Sequence, residues 1–451
     1  MTAVPQTRSV GIIGAGWAGL AAAVELAKQG LQVHLWEMAP AAGGRGRSSV
    51  MQAMDSAPGG ALELDAGQHI LIGAYTESLS LMQRLGVDHA VAFWRGPLQL
   101  LDPRGRGLRL AKGSPVMSFL RALAGHEAWP LVARWQLLMR LARWHRQGFR
   151  CQAGQTVSAL CSGLPMAVVD ELIEPLCVAA LNTPGHAADG QVFLRVLADG
   201  LFGGPGGSDL LIPRVPLRAL LPTPALEFLG RHGARVHMPQ RVQQITPLGG
   251  GRWAIGVPTE ASRRHSGIPA QEVDRLIVAC TAQEAARLLA PWDRTWAQMA
   301  GNLPFEPIVT TWLHAPGVRL PGPMVRLGQG PAQFAFDLGA IGVPAPGVLS
   351  LVTSDASAWL SQGLHRLERA VANQAQALPG ARPAQVKIVR SIAERRATFR
   401  CTPGLHRPPS EAASAHGGAW VAGDYIEGPY PSTLEGAVRS GVAAAHQAQN
   451  S

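Results

Sequence analysis

An α/β protein, in which a domain built on a parallel sheet is interleaved with a second, α+β domain, is predicted by three observations. First, the apolar run Ser9–Ile13 leads through Gly14, Gly16 and Gly19 into an alanine-rich helical pattern over Leu20–Lys28, and a second β-type run, Leu31–Trp36, ends at Glu37. Second, Trp420–Gly441 reads as a strand running into Gly423-Asp424, then a Pro/Gly loop, then a helix from Ser432. Third, the intervening chain changes character: 86–212 is helical and apolar in pattern, whereas 235–280 and 300–400 carry repeated strand-like runs. With 451 residues, 47% of them apolar, the chain can bury more than one core.

The first stretch has the order strand, glycine turn, helix, strand, acid. That is a Rossmann-like dinucleotide-binding unit, and each residue has a physical task. Gly14 permits the tight turn and Gly16 lets the backbone approach a pyrophosphate. Gly19 allows close helix–strand packing, and Trp17 and Ala18 lie with these glycines at the turn into the helix, whose N–H groups and dipole favour an anion. Glu37, eighteen residues beyond Gly19, is placed to accept hydrogen bonds from ribose hydroxyls.

NAD and FAD both use such a unit, and Gly43-Gly44-Arg45 decides between them. This segment resembles the one that follows the Rossmann unit in flavoproteins of the amine oxidase and phytoene desaturase type, where arginine adds charge-assisted hydrogen bonds to the pyrophosphate. FAD is therefore the expected cofactor, held non-covalently because the final loop, Tyr425–Pro431, has no histidine or cysteine for attachment. The same resemblance implies that Gly423 and Asp424 contact the ribityl or pyrophosphate part and that Val242 meets the adenine through its backbone. It also implies that the start of the last helix, Ser432, Thr433 and Leu434, faces the pyrimidine side of the flavin. A positive helix end there stabilises an anionic reduced ring. Ser432 reads as the N-cap, with Glu435 completing a capping box.

In the middle of the chain, Pro224–Gly233 reads as a helix, followed by strand-like runs at Arg235–Val242, Val242–Ile245, Arg252–Val257 and Asp274–Cys280. The FAD-binding domain is thus expected in three pieces, 1–85, 213–295 and 400–451. A substrate-binding domain is expected from 86–212 and 296–399, where Ile308–His314, Gln333–Leu338 and Val348–Ser354 form the sheet that floors a substrate cavity. Pro130–Gln147 reads as a helix with a broad apolar face, Leu131, Trp135, Leu138, Met139, Leu141 and Ala142, beside a narrow stripe of Gln136, Arg140, Arg143 and Gln147. Such a helix packs on a core or lies in a membrane interface.

The formal net charge of +10 comes almost entirely from scattered arginines, since lysine occurs only at Lys28, Lys112 and Lys387. With no basic tract or nucleic-acid motif, no nucleic-acid partner is expected. Five cysteines without CxxC or metal spacing point to a reducing cytoplasm, with at most a peripheral contact on the inner face of the membrane, and to no metal. The apolar stretch Val10–Ala27 is interrupted by Glu25 and followed by Lys28, so it reads neither as a leader nor as a span.

Four motifs narrow the resemblance: GAGWAGLAAA with Trp17, GGRGRS at Gly43–Ser48, Asp65-AGQHILIGAY-Tyr75, and GPYPSTLEGAVRSG at Gly428–Gly441. Together they resemble the hydroxysqualene dehydroxylases, also called squalene-associated FAD-dependent desaturases, over the whole chain in order. The resemblance implies reductive removal of the hydroxyl of hydroxysqualene to give squalene, in bacterial squalene and hopanoid synthesis. It also implies a hydrophobic C30 substrate and an external electron donor or reductase, because no second nucleotide motif occurs in the chain. Gly67, Gln68 and His69 would then lie beside the flavin ring, with His69 the candidate acid that protonates the leaving oxygen, and Asp337, Tyr425 and Tyr430 in reserve. Two alternatives stay open on the residues alone: another FAD-dependent isoprenoid desaturase or amine oxidase, and a lipid-binding flavoprotein without turnover.

Overall fold

The apolar run Ser9–Ile13 forms β1 and the alanine-rich run behind it forms helix α1, Trp17–Lys28. They belong to a computed structural model in which residues 8–51, 62–258 and 269–451 are described. Small side chains let α1 lie buried along almost its whole length, wedged between the sheet and the C-terminal helix. It stops at Gly30, whose φ of 81° supports a Schellman turn: Gly30 N donates to Ala27 O and Leu31 N to Leu26 O.

The strands of the two principal sheets, in chain order, are β1, β2 (Gln32–Trp36), β3 (Arg235–His237), β4 (Arg275–Val278), β5 (Phe305–His314), β6 (Met324–Arg326), β7 (Phe334–Asp337), β8 (Val348–Thr353), β9 (Lys387–Phe399) and β10 (Ala419–Val421). The first sheet has the order β3-β2-β1-β4-β10 and is parallel at every pairing. It therefore draws on three distant stretches of chain, and β1, β4 and β10 are buried apolar runs, as expected of a sheet covered on both faces. The second is antiparallel, in the order β6-β7-β8-β5-β9. The α/β class expected from the sequence is the class observed.

Several elements differ from expectation. The run 235–242 is a strand only to His237, because Pro239 has no N–H to donate, and the chain then turns so that Gln240 N donates to Glu37 O at 2.7 Å. The middle helix is Pro222–Arg231 and the strand after Val242 is Gln244–Gly249, each shifted by about two residues. The stretch 86–212, expected to be helical, also holds the strands Phe93–Gly96, Gln99–Leu101, Gly107–Arg109 and Leu210–Pro213. The hairpin within it is set by local turn chemistry, the Asp102 carboxylate accepting from Arg104 N and Arg106 N.

The helices used below are α2 (Thr76–Arg84), α3 (Pro115–Ala124), α4 (Leu131–Arg146), α5 (Glu174–Leu181), α6 (Gly190–Phe202) and α7 (Leu434–Asn450). In α4 the broad apolar face splits in two. Ala133, Leu137, Leu141 and Trp144 turn inward, while Leu131, Val132, Trp135 and Met139 are exposed. Arg140 does not belong to a free basic stripe, since its guanidinium donates to Leu160 O and Ser162 O. No helix among the described residues is long and apolar enough to cross a membrane.

Candidate active site

At the C-terminal end of the parallel sheet, β1 delivers Gly14 into the turn before α1. Its φ is 109°, and a Cβ there would stand 2.5 Å from Ala279 O, so only glycine fits. A Cβ on Gly19 would stand 1.9 Å from Gly14 O, which is the close helix–strand approach this position was expected to provide. Gly16 is different: the nearest heavy atom to its Cβ position is the Cα of Gly44, at 4.0 Å. The two glycine loops thus face each other with their backbones open toward a cavity. Trp17, Ala18 and Gly43 line the same space, and Trp17 Nε1 is buried with no hydrogen-bond partner among the described residues. Glu37 ends β2 almost fully buried; Ala15 N and Ala39 N donate to its carboxylate at 2.8 and 2.7 Å. Val242 lines the cavity beside it, with its carbonyl held by Arg287.

Arg45, Asp424 and Ser432 converge at the middle of this region. Arg45 pairs with the Asp424 carboxylate and donates to Ala397 O at 2.7 Å, and Ser432 Oγ donates to the other Asp424 oxygen. Asp424, carried from β10 by Gly423, is buried, so its charge has replaced water with two directed donors. Arg45 is held firmly protonated by Asp424, the coulombic and hydrogen-bonding attraction outweighing a larger single loss from burial.

Ser432 is therefore not the cap of α7. That role falls to Thr433, whose Oγ1 accepts from Gly436 N at 3.0 Å, with Leu434 as the first helical residue. Nor does Glu435 close a capping box. Its carboxylate reaches across to α2, accepting from Glu77 N, Ser78 N and Ser78 Oγ, and pairs with Arg439 at 2.7 Å. One buried carboxylate thereby serves the amino ends of two helices, where the backbone amides make negative charge favourable.

From this polar end a single cavity of about 750 Å³ extends into the helical insertion. Its far wall is nearly all hydrocarbon: Leu98, Leu100 and Leu108 of the small hairpin, Phe119 of α3, Leu137 and Leu141 of α4, Leu172 and Ile173, Leu176 of α5, and Leu197 and Leu201 of α6. Phe305, Ile308 and Thr310 of β5 and Phe334 of β7 form the floor. Gly67, Gln68 and His69 lie where polar end and apolar wall meet, and Gln68 N donates to Thr310 Oγ1 at 3.4 Å. His69 Nδ1 lies 2.9 Å from Gly67 O. A carbonyl only accepts, so Nδ1 carries the proton and Nε2 is the nitrogen left to change its protonation. Burial lowers the His69 pKa below the ordinary 6.5, the Gly67 carbonyl opposing that shift and the Arg45 charge adding to it.

Of the residues held in reserve, Tyr430 lines the cavity with Arg195 and Arg439 on its ring and Arg195 Nη2 at 3.0 Å from its hydroxyl. Tyr425 is buried and donates to Cys280 O. Asp337 instead caps the short helix Leu338–Ile341 by accepting from Ala340 N. Sequence reasoning missed Asn182. It ends α5 in the left-handed conformation, lines the apolar wall, donates to Glu306 O and Thr398 Oγ1, and accepts from Asp355 N. Burial, with Glu306 beside it, pushes Asp355 up to about 6. The Asn-Thr-Pro-Gly run marks a helix stop, but its partners lie more than a hundred residues away.

The polar end fits a flavin dinucleotide: facing glycine backbones, an indole N–H unpartnered among the described residues, a buried acid closing β2, and a helix start capped by Thr433 line one continuous cavity. Comparison with known proteins agrees. Residues 17–448 match the family described as flavin containing amine oxidoreductase. The chain is 25% identical over 465 residues to hydroxysqualene dehydroxylase of Sinorhizobium fredii, with 97% of each chain covered. It is 26% identical over 464 residues to hydroxysqualene dehydroxylase of Rhodopseudomonas palustris, with 98% of each covered. Among solved structures, an oxidoreductase from Methanosarcina mazei shares the fold with a TM-score of 0.71 at 16% identity, covering 97% of this chain and all of that one.

Proposed function

Because the chain belongs to the flavin containing amine oxidoreductase family and is an FAD-dependent oxidoreductase, we propose that it reductively removes the hydroxyl of hydroxysqualene to give squalene, as a step of squalene and hopanoid synthesis. The observation that carries this reading is the cavity itself: one space lined by the glycine loops, Glu37, Arg45 and Asp424 at its polar end and by leucines of the helical insertion beyond, with His69 in the same lining. A C30 chain with one hydroxyl matches that division, with its length along the leucines and its oxygen at the junction. The similarity to two hydroxysqualene dehydroxylases supports the same substrate class.

The reaction replaces C–OH by C–H and releases water, so it consumes one hydride and one proton. Bound in the polar end, reduced flavin supplies the hydride. The remaining work falls to the protein. Arg45, Asp424, Glu37 and the glycine loops hold the dinucleotide, and the leucine wall excludes water from an allylic carbon as its C–O bond weakens. His69, protonated at Nε2, gives its proton to the departing oxygen, a contribution of ~10² to 10⁴ in rate. The electrons come from a separate donor, a free nicotinamide or a partner reductase. The reading places the enzyme in the cytoplasm, with a contact on the inner face of the membrane where such a substrate dissolves.

The test is anaerobic mixing of photoreduced enzyme with hydroxysqualene in D₂O. The expected result is return of oxidised-flavin absorbance as squalene forms with one deuterium. Flavin that stays bleached with hydroxysqualene, in an enzyme whose oxidised form is reduced by a polyene or an amine, overturns the proposal.

A further inference from the structure

Helices α3 and α4 are apolar on two opposite sides. Inward, Phe119, Leu137 and Leu141 line the cavity. Outward, Met117 and Leu120 of α3 and Leu131, Val132, Trp135 and Met139 of α4 are exposed, Leu131 by 75% and Trp135 by 63%. The cavity accounts for the first side and leaves the second unexplained: the two helices are tied by Arg134, which donates to Ala124 O and Trp129 O, and large apolar side chains exposed on the outer sides of neighbouring helices mark an interaction surface.

Charge narrows the choice of partner. Between residues 112 and 150 the only acid is Glu127, whereas Lys112, Arg121, Arg143, Arg146 and Arg150 are all exposed. On α4, Arg143 and Arg146 follow Trp135 and Met139 at helical spacing, so they share the exposed arc. At the end of α4, Phe202 of α6 lies beside His145 and Phe149 and adds an exposed ring. A second copy of the chain would bring the same positive rim against this one, and an acidic protein would leave the apolar centre unused. Apolar side chains at the centre, a tryptophan among them, and arginines at the edge match a bilayer carrying anionic headgroups.

We infer that the outer face of α3 and α4 seats on an anionic lipid surface, and that the substrate passes from that surface between the two helices into the cavity they line. Docking stands on the surface alone; only the passage of substrate rests on the proposed function. The thin wall makes the route short, because the residues touching lipid and those lining the cavity sit on opposite sides of the same two helices.

Sedimentation of the FAD-loaded enzyme with sucrose-loaded vesicles tests the docking. The wild type is expected to pellet with phosphatidylglycerol/phosphatidylcholine vesicles and far less with phosphatidylcholine alone. Trp135→Glu should abolish pelleting, and Arg143→Glu/Arg146→Glu should weaken it roughly 25-fold or more, about fivefold for each basic charge lost. Flavin content and melting temperature should not move in either variant. With hydroxysqualene in vesicles turnover should fall in both variants, while with the substrate in detergent micelles it should match the wild type. Wild-type enzyme that stays in the supernatant overturns the inference, as does Trp135→Glu protein that pellets unchanged, or a wild-type dimer that Trp135→Glu splits. Absence of hydroxysqualene turnover in every form would sink the proposed reaction, and the vesicle result would still decide the docking.

Discussion

At one end of the cavity Glu37, Arg45, Asp424 and Ser432 each hold a directed partner. At the other, Leu137, Leu172 and Leu197 line a wall that is nearly all hydrocarbon. The first end gains its specificity from geometry, because a buried charge or amide tolerates few arrangements. The second gains it from volume and dryness, which many sets of side chains supply equally. Substitutions at the two ends should therefore fail differently: at the polar end by losing cofactor or chemistry, at the apolar end by losing packing alone.

His69 sits where the two ends meet, and it should show the largest effect. Replacing it with glutamine keeps a group of similar reach but removes the titrating nitrogen, and kcat should fall by ~10² to 10⁴ with flavin content unchanged. The sign of the pH dependence follows from the lowered pKa. An acid works in its protonated form, so wild-type kcat/KM should be highest at low pH and decline as pH rises through a midpoint below 6.5. In His69→Gln that decline should vanish. A profile of the same shape in both proteins would assign the proton to another group.

Next in size, Arg45→Ala leaves the buried Asp424 carboxylate with only Ser432. Breaking a buried pair costs about 3–5 kcal/mol, and because the Arg45 side chain is 34% exposed a value near the lower end, about 3 kcal/mol, is expected. The protein should also purify with little FAD, read from its absorbance. On the other side of the comparison, Leu137→Ala should cost about 2 kcal/mol, the low end for a buried leucine because its neighbour is already open space. It should keep its full complement of flavin. If Leu137→Ala loses FAD as readily as Arg45→Ala, the two ends are not independent and the comparison breaks.

The same contrast explains what the sequence disclosed. Gly14, Gly16, Gly19 and Glu37 were legible because a turn, a close approach and a buried acid each demand particular residues at a fixed spacing within one βαβ unit. Gly43 to Arg45 and Asp424 were legible only through resemblance, since nothing local says that residues 45 and 424 meet. The apolar wall was legible as composition, an insertion rich in leucine, and not as geometry. In α4 one apolar arc lines a cavity while another is exposed, and periodicity cannot separate two apolar faces of one helix. Asn182 escaped notice for a related reason, its bonds to Glu306, Thr398 and Asp355 depending on where three distant strands end. The strand expected over 235–242 ends at His237, because Val236 and Met238 alternate only up to Pro239, which removes a donor.

The smallest effect concerns the start of α7, where motif and structure disagree within the polar end itself. The sequence Pro431-Ser-Thr-Leu-Glu435 offers two adjacent hydroxyl residues, and a capping box selects Ser432 because Glu435 stands three residues on. Asp424 and Ser78 select otherwise. The Asp424 carboxylate draws in Ser432 Oγ, and the amino end of α2 draws away Glu435, leaving Thr433 to accept from Gly436 N. Thr433→Ala should therefore cost about 1 kcal/mol in thermal unfolding, as loss of a helix cap does, with little change in flavin content. Ser432→Ala should leave the helix as stable as before within a few tenths of a kcal/mol for the cap, and should instead loosen FAD, because Asp424 then keeps Arg45 as its only side-chain donor. If Ser432→Ala costs the full cap and Thr433→Ala costs nothing, the capping box of the sequence forms after all, and Glu435 must turn back from α2 to make it.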